Sequence, residues 1–257
     1  YKVTPTIFSE LGAEIIVIGD KPDGFNINQD VGSTHPETTQ KLVKKHRADF
    51  GISLDGDADR VTLIDSNGQI LDGDDILFIL GFANPSRTGP WTGIVGTHMS
   101  NIGLEAGLTE LGYQFKRAEV GDKFVSTTLS NEGWLLGGEP SGHIICRDLV
   151  STGDGTIAAL KTISSLLLLD KQPKDILKHF QKIPQINKSI KVTNKDIVSD
   201  TDVRTAVQDI ETDIAVNRVV LRPSGTVSKV RIMIESENKN IAEKYTNDLA
   251  KLIESKQ

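Results

Sequence analysis

Three short loops hold residue types that can do chemistry. In Asp55-Gly56-Asp57-Ala58-Asp59-Arg60, three carboxylates alternate along the chain and can converge on one point. Like charges so close repel, and a divalent cation offsets the repulsion. An all-oxygen donor set suits a hard ion such as Mg²⁺, whereas zinc calls for His or Cys. The bland alternative is a solvated acidic turn. An EF-hand calcium loop does not fit, because Arg60 and Ser66 occupy the positions where that pattern needs Gly and Glu. Gly137-Gly138-Glu139-Pro140-Ser141-Gly142-His143 gathers a carboxylate, a hydroxyl and an imidazole on a glycine-bracketed turn, able to bind sugar hydroxyls or simply to shape a polar loop. Arg222-Pro223-Ser224-Gly225-Thr226 combines a guanidinium fork, hydroxyls and a glycine whose neighbouring N–H groups can face an anion; it reads as a phosphate grip or as a tight polar turn. Arg231 adds a cation on the following strand, and Gly121-Asp122-Lys123 opens a helix whose N-terminus favours an anion.

The elements that must position these loops follow from hydrophobic periodicity. Val3, Ile7, Phe8 and Leu11 fall at helical spacing, and Glu14 to Asp20 reads as an apolar strand. A helix from Pro36 to His46 leads to strand Phe50 to Leu54, which ends on the acidic loop, where α/β sheets place their chemistry. Strands Val61 to Asp65 and Gln69 to Leu71 flank the turn signal Asn67-Gly68, and Asp74 to Phe82 is a helix. Then come strand Gly93 to Gly96, helix Ile102 to Leu111, strand Phe115 to Val120 and a helix from Asp122, a βαβα order. Leu135 to Glu139 and Ile144 to Cys146 bracket the second loop, followed by helices Asp154 to Leu169 and Pro173 to Ile183. Past Pro184 the pattern changes to strand Ser189 to Thr193, helix Asp202 to Ile210, strands Arg218 to Leu221 and Lys229 to Glu235, and helix Ile241 to Ile253, an α+β order. The expected divisions are 1–86, 87–185 and 186–257.

Bulk properties set outer limits. The 257 residues, 37% hydrophobic and 25% charged, are ordinary for a soluble protein with two or three cores. A net charge of −6 argues against non-specific nucleic-acid binding. The lone Cys146 cannot form an intramolecular disulfide, and no apolar run approaches the roughly 20 residues that span a bilayer. No signal peptide opens the chain, so cytoplasm is the expected compartment. The start at Tyr1, helix first and without an initiator Met, reads as a cut.

Taken in order and at their separations, the loops resemble those of the α-D-phosphohexomutase superfamily. Asp55 to Arg60 resembles its magnesium loop, Gly138 to His143 its sugar-binding loop, and Arg222 to Thr226 the phosphate loop of its last domain. Val31-Gly32-Ser33-Thr34-His35-Pro36, Val95-Gly96-Thr97, Val120-Gly121-Asp122 and Thr152-Gly153-Asp154-Gly155 look most like the bacterial phosphoglucosamine mutase branch, and the similarity runs from about Thr4 to Glu235. The resemblance implies two βα-type domains, the first incomplete, followed by an α+β domain. It implies an enzyme in which a phosphoserine passes its phosphoryl group to a hexosamine phosphate, the bisphosphate turns around, and the other phosphate returns to serine. By position, Asp55, Asp57 and Asp59 would hold Mg²⁺; Arg60, Lys123 and His143 would serve the transfer; Glu139, Ser141, Arg222, Ser224, Gly225 and Thr226 would bind substrate. The serine belongs to an N-terminal domain of the same protein that this sequence does not contain, so this piece alone is expected to be inactive.

Ser33-Thr34-His35-Pro36 is superficially similar to the family's serine loop but falls in its second domain and reads as a structural turn. Pro140 stands where the branch commonly has a polar residue, and Val227-Ser228 replaces the usual Glu-Pro. Both departures leave sugar choice open, with phosphomannomutase or phosphoglucomutase activity as the alternative. A non-catalytic phosphosugar-binding module is a third reading. A dehalogenase-like phosphatase would leave the Arg222 loop unexplained. Neither nucleic acid nor membrane is an expected partner.

Overall fold

The computed structural model describes residues 1–225 and 227–256, and the chain divides into two compact units, 1–100 with 107–180 and 101–106 with 181–257. In the first unit, helix α1 (Val3–Glu10) buries only Phe8. The segment expected as a strand, Glu14 to Asp20, is irregular, and its apolar side chains Ile15, Ile16, Val17 and Ile18 are exposed. β-Propensity alone does not make a strand: the backbone needs a ladder partner, and none of the described strands pairs with it. Helix α2 (Glu37–His46) carries Glu37 in its first turn and Lys44, Lys45 and His46 in its last, which suits the helix dipole, and it ends on Arg47 in the left-handed region.

Strands β1 (Phe50–Leu54), β2 (Val61–Asp65) and β3 (Ile70–Leu71) form an antiparallel sheet in that order. The register sets Leu54 opposite Val61, so the acidic loop is the connection that closes the β1–β2 pair. Asp65 holds the next turn, its carboxylate accepting from the Asn67 and Gln69 N–H groups.

Helix α3 (Gly73–Ala83) starts on a capping box in which the Asp72 carboxylate accepts from the Asp74 and Asp75 N–H groups, and Asp75 accepts from the Asp72 N–H. Residues Gly73 to Gly81 are all buried, as expected for a helix that is apolar on every side.

The second sheet has the order β5-β4-β6-β7, built from β4 (Gly93–Thr97), β5 (Gln114–Ala118), β6 (Leu136–Gly138) and β7 (Ile144–Cys146). β4 pairs in parallel with both β5 and β6, while β6 and β7 form an antiparallel hairpin. The crossovers run through α4 (Ile102–Glu110) and α5 (Asp122–Glu132), the arrangement parallel pairs require.

α6 (Gly155–Leu169) begins at the Asp154 cap and packs with α7 (Pro173–Leu177) against α3, where the Phe78 and Phe180 rings meet at 5.2 Å. α7 stops at Leu177, short of the expected Ile183, because the chain turns through His179 N–H to Ile176 O and Phe180 N–H to Leu177 O so that Phe180 is buried.

In the second unit, β8 (Gln185–Lys191), β9 (Arg218–Pro223) and β10 (Lys229–Glu235) make an antiparallel sheet ordered β8-β10-β9, covered by α8 (Thr201–Glu211) and α9 (Lys239–Ser255). β8 begins before the expected Ser189, in register with all of β10. Val203, Ile210, Val230, Ile232, Ile234, Leu249 and Ile253 form its core. The Asn101 side chain ties the edge of this unit, donating to Ile183 O and accepting from Ile183 N–H. Among the described residues no helix is long and apolar enough to cross a membrane. The mixed α/β architecture agrees with the fold class expected from sequence.

Candidate active site

The acidic loop is a folded hairpin connection. Ala58 N–H donates to Asp55 O, the Arg60 N–H to the Asp55 carboxylate, and Asp55 N–H to Arg60 O at a long 3.4 Å. Ala58 takes a φ of +59° at the apex, where the backbone reverses. Ligand oxygens from Asp55, Asp57 and Asp59 all lie within 4.8 Å of one another.

Asp59 registers the strain of that grouping. Its carboxyl is pushed from 3.8 to about 6, first by burial, then by a hydrogen bond to Asp55 and the charges of Asp55 and Asp57, with Arg60 opposing. One of its oxygens, Oδ1, has no hydrogen-bond partner, and Arg60 Nε is 3.8 Å away. With Arg60 half exposed, that contact is too solvated to balance the site. A hard divalent cation fits a set of this kind, close in space, all oxygen and short of positive charge.

The second loop is pressed against the first. Arg60 and His143 form an isolated antiparallel bridge, and Val61 N–H donates to Gly142 O. Gly142 has a φ of +92°, and a Cβ there would lie 2.1 Å from Val61 O; one at Gly155 would lie 2.9 Å from Arg60 O. On the other side a Cβ at Gly73 would meet Glu139 O at 1.9 Å, and Gly73 N–H donates to Pro140 O. Bare glycines thus let three backbone segments close around the Glu139 turn.

His143 is buried with Nε2 3.6 Å from Asp59 Oδ2, too long for a hydrogen bond. Burial lowers its pKa against the opposing charges of Glu139 and Asp122, so the ring is neutral at pH 7 and the contact is not an ion pair there. Its Nδ1 has no hydrogen-bond partner. Glu139 is raised, first by burial, while His143 and the Gly121 N–H hold it down; that N–H donates to Oε2 at 3.2 Å. A cleft of about 160 Å³ opens here, lined by Asp122, Lys123, Ser126, His143, Ser151 and Thr152. Ser141 is exposed at the loop tip.

The sequence presents these loops separately but not their interlock, nor Ser126 and Ser151, and it presents Thr152 only within the Thr152–Gly155 stretch. Hydroxyls without a pattern leave no signal. The glycines of Gly153-Asp154-Gly155 did leave one, since a Cβ at Gly153 would lie 2.3 Å from His143 Nε2.

The third loop belongs to the second unit. Ser224 is buried, its N–H donates to Lys229 O, and its carbonyl accepts from Lys195 Nζ at 2.6 Å. Arg222 and Arg231 are register partners on β9 and β10, so both side chains leave one face. Directly opposed cations repel unless an anion lies between them. Gly225 has open space around it, and Thr226 lies outside the described residues.

Family models match the chain in three consecutive stretches. Residues 1–68 match phosphoglucomutase/phosphomannomutase alpha/beta/alpha domain II, 72–183 its domain III, and 173–252 its C-terminal domain. The chain belongs to the phosphoglucomutase/phosphomannomutase family. Among relatives in that family, a phosphoglucosamine mutase of Legionella pneumophila is 45% identical over 97% of this chain and 55% of its own length. One of Alcanivorax borkumensis is 41% identical over 99% of this chain and 58% of its own. The chain therefore spans somewhat over half the length of these phosphohexomutase relatives. A solved Aspergillus fumigatus N-acetylphosphoglucosamine mutase, in complex with GlcNAc-6P and magnesium, shares the fold with a TM-score of 0.69 at 19% identity, covering 87% of this chain and 52% of that one.

Proposed function

We propose that this chain is the part of a phosphohexose mutase that holds the metal and the sugar phosphate, in an enzyme interconverting glucosamine 6-phosphate and glucosamine 1-phosphate through a bisphosphate intermediate. The observation that carries the reading is the interlock of the Asp55–Arg60 loop with the Glu139–His143 loop, which sets a carboxylate triad beside a neutral imidazole. The names of the bacterial relatives support glucosamine as the sugar.

In this reading Asp55, Asp57 and Asp59 hold Mg²⁺, which when bound neutralises charge on the transferring phosphoryl group. The magnesium found with GlcNAc-6P in the fungal neighbour supports that choice of ion. Arg60 and Lys123 add positive charge at the edge of the site. Glu139, one oxygen anchored by the Gly121 N–H, and Ser141 orient the sugar hydroxyls. His143, buried beside Asp59 at the base of the Glu139 loop, serves the proton transfer in this reading. Arg222, with Arg231 beside it and the Ser224–Gly225 turn at its end, grips the phosphate that is not reacting, and Thr226 joins that loop. The phosphoryl-donating serine is assigned to the family's first domain.

The test is calorimetric titration of the chain with glucosamine 6-phosphate in Mg²⁺, together with a mutase assay and intact mass of the natural gene product. Binding that Arg222→Ala weakens, with turnover in a longer, serine-phosphorylated product, is the expected result. A natural product of this length that binds without turnover makes the chain a sugar-phosphate-binding module. No binding overturns the reading.

A further inference from the structure

The cleft beside the sugar loop has an electrostatic pattern that a simple hexose phosphate does not need. Its rim carries the consecutive residues Asp122 and Lys123, and its floor is the buried, neutral His143, whose Nδ1 has no hydrogen-bond partner. Asp122 is fixed relative to the sugar loop: Gly121, at a φ of +134°, donates its N–H to Glu139 Oε2, so the start of α5 is tied to the carboxylate assigned to the sugar hydroxyls. Electrostatics report the same proximity, since the Asp122 charge pushes both Glu139 and His143 upward. The cleft therefore offers an anion immediately beside a cation, with the hydroxyls of Ser126, Ser151 and Thr152 around them.

We infer that Asp122 is a specificity-determining residue that recognises the C2 ammonium of a 2-amino-2-deoxyhexose 1-phosphate, while Lys123 faces the adjacent phosphate. In such a sugar an ammonium at carbon 2 stands next to the phosphate at carbon 1, an ordered cation–anion pair that Asp122 and Lys123 complement. A hexose 1-phosphate with a hydroxyl at carbon 2 leaves the Asp122 carboxylate without its counter-charge, and a buried or ligand-covered charge without a partner is costly. The inference rests on the mutase reading and refines it, because it names the group that separates amino sugars from neutral ones.

The experiment titrates the chain, in Mg²⁺, with glucosamine 1-phosphate and with glucose 1-phosphate, and repeats both on Asp122→Asn and Asp122→Glu. Wild-type chain is expected to prefer glucosamine 1-phosphate by about tenfold or more, the scale of one charge-assisted hydrogen bond. Asp122→Asn should bring the two sugars within about threefold by weakening only the amino sugar, and Asp122→Glu should restore part of the preference. Thermal midpoints keep folding defects apart from recognition, and an exposed residue such as Asp122 should leave them unchanged. An unchanged preference in Asp122→Asn, or equal binding of both sugars by wild type, overturns the inference while leaving the mutase reading intact. Failure of wild type to bind either sugar phosphate overturns both.

Discussion

Asp59 and His143 face each other at 3.6 Å with their titrations displaced toward one another, the carboxyl raised to about 6 and the imidazole lowered by burial. Near neutral pH the pair is an ionised carboxylate beside an uncharged ring. That combination is what the proposed function asks of the pair, a metal ligand beside an uncharged imidazole, because neither group's charge consumes the other.

Mg²⁺ affinity should fall as pH drops below about 6, by up to about tenfold per unit, since Asp59 must lose its proton to ligate. The metal-free chain should show the reverse trend in stability. Between 3.8 and about 6 the folded Asp59 keeps a proton that the unfolded one releases, so stability declines as pH rises through that window. Asp59→Asn should flatten both profiles. Calorimetric titration with Mg²⁺ and thermal midpoints from pH 4 to 7 measure them, and an Mg²⁺ affinity independent of pH over that range would sink the assignment.

Gly142 and Gly12 give a matched contrast. Both hold positive φ, +92° and +90°, but nothing lies within 4 Å of a Cβ at Gly12, whereas one at Gly142 would overlap Val61 O. Gly12→Ala should cost only backbone strain, about 1–2 kcal/mol. Gly142→Ala should cost about 3 kcal/mol or more and also weaken Mg²⁺ binding, because it pushes the second loop off the first. Urea unfolding read by Trp91 and Trp134, both in the first unit, measures the difference. Equal losses would show that the loops do not depend on this close approach.

The loops were legible because their chemistry is concentrated in contiguous residues: three alternating aspartates, one Glu–Ser–His turn, one Arg–Ser–Gly turn. Helices and strands followed from periodicity wherever they find local partners, as β1 and β2 do through a short connection. Glu14 to Asp20 failed for want of a ladder partner, which no local pattern encodes. α7 failed because the burial of Phe180, a tertiary demand, ended the helix early. The same limit hid the function of the glycines. Gly73, Gly142 and Gly155 matter for what lies across from them, and those neighbours are far away in sequence.

Arg222→Lys should weaken sugar-phosphate binding about tenfold, because an ammonium replaces the fork's paired donors with a point charge. Arg231→Gln should have a smaller effect of the same sign, since its exposed side chain leaves the same sheet face. Titration with glucosamine 6-phosphate reads both, and Arg222→Lys at wild-type affinity would remove Arg222 from the phosphate grip.

Glu235 is fully buried and holds two partners in the second unit, Arg218 Nε at 2.8 Å and the Ile102 N–H at 3.1 Å. Glu235→Leu removes the buried carboxylate that faces the Arg218 guanidinium and should cost that unit about 3–5 kcal/mol. Removing the other partner as well, in Arg218→Met/Glu235→Leu, should recover much of the loss, because apolar side chains of similar size need no counter-charge. Tryptophan fluorescence does not report this unit, so amide hydrogen exchange along β10 is the measurement. A double variant as unstable as the sum of the singles would mean that the two residues act independently, and that the Ile102 N–H rather than the ion pair sets the value of Glu235.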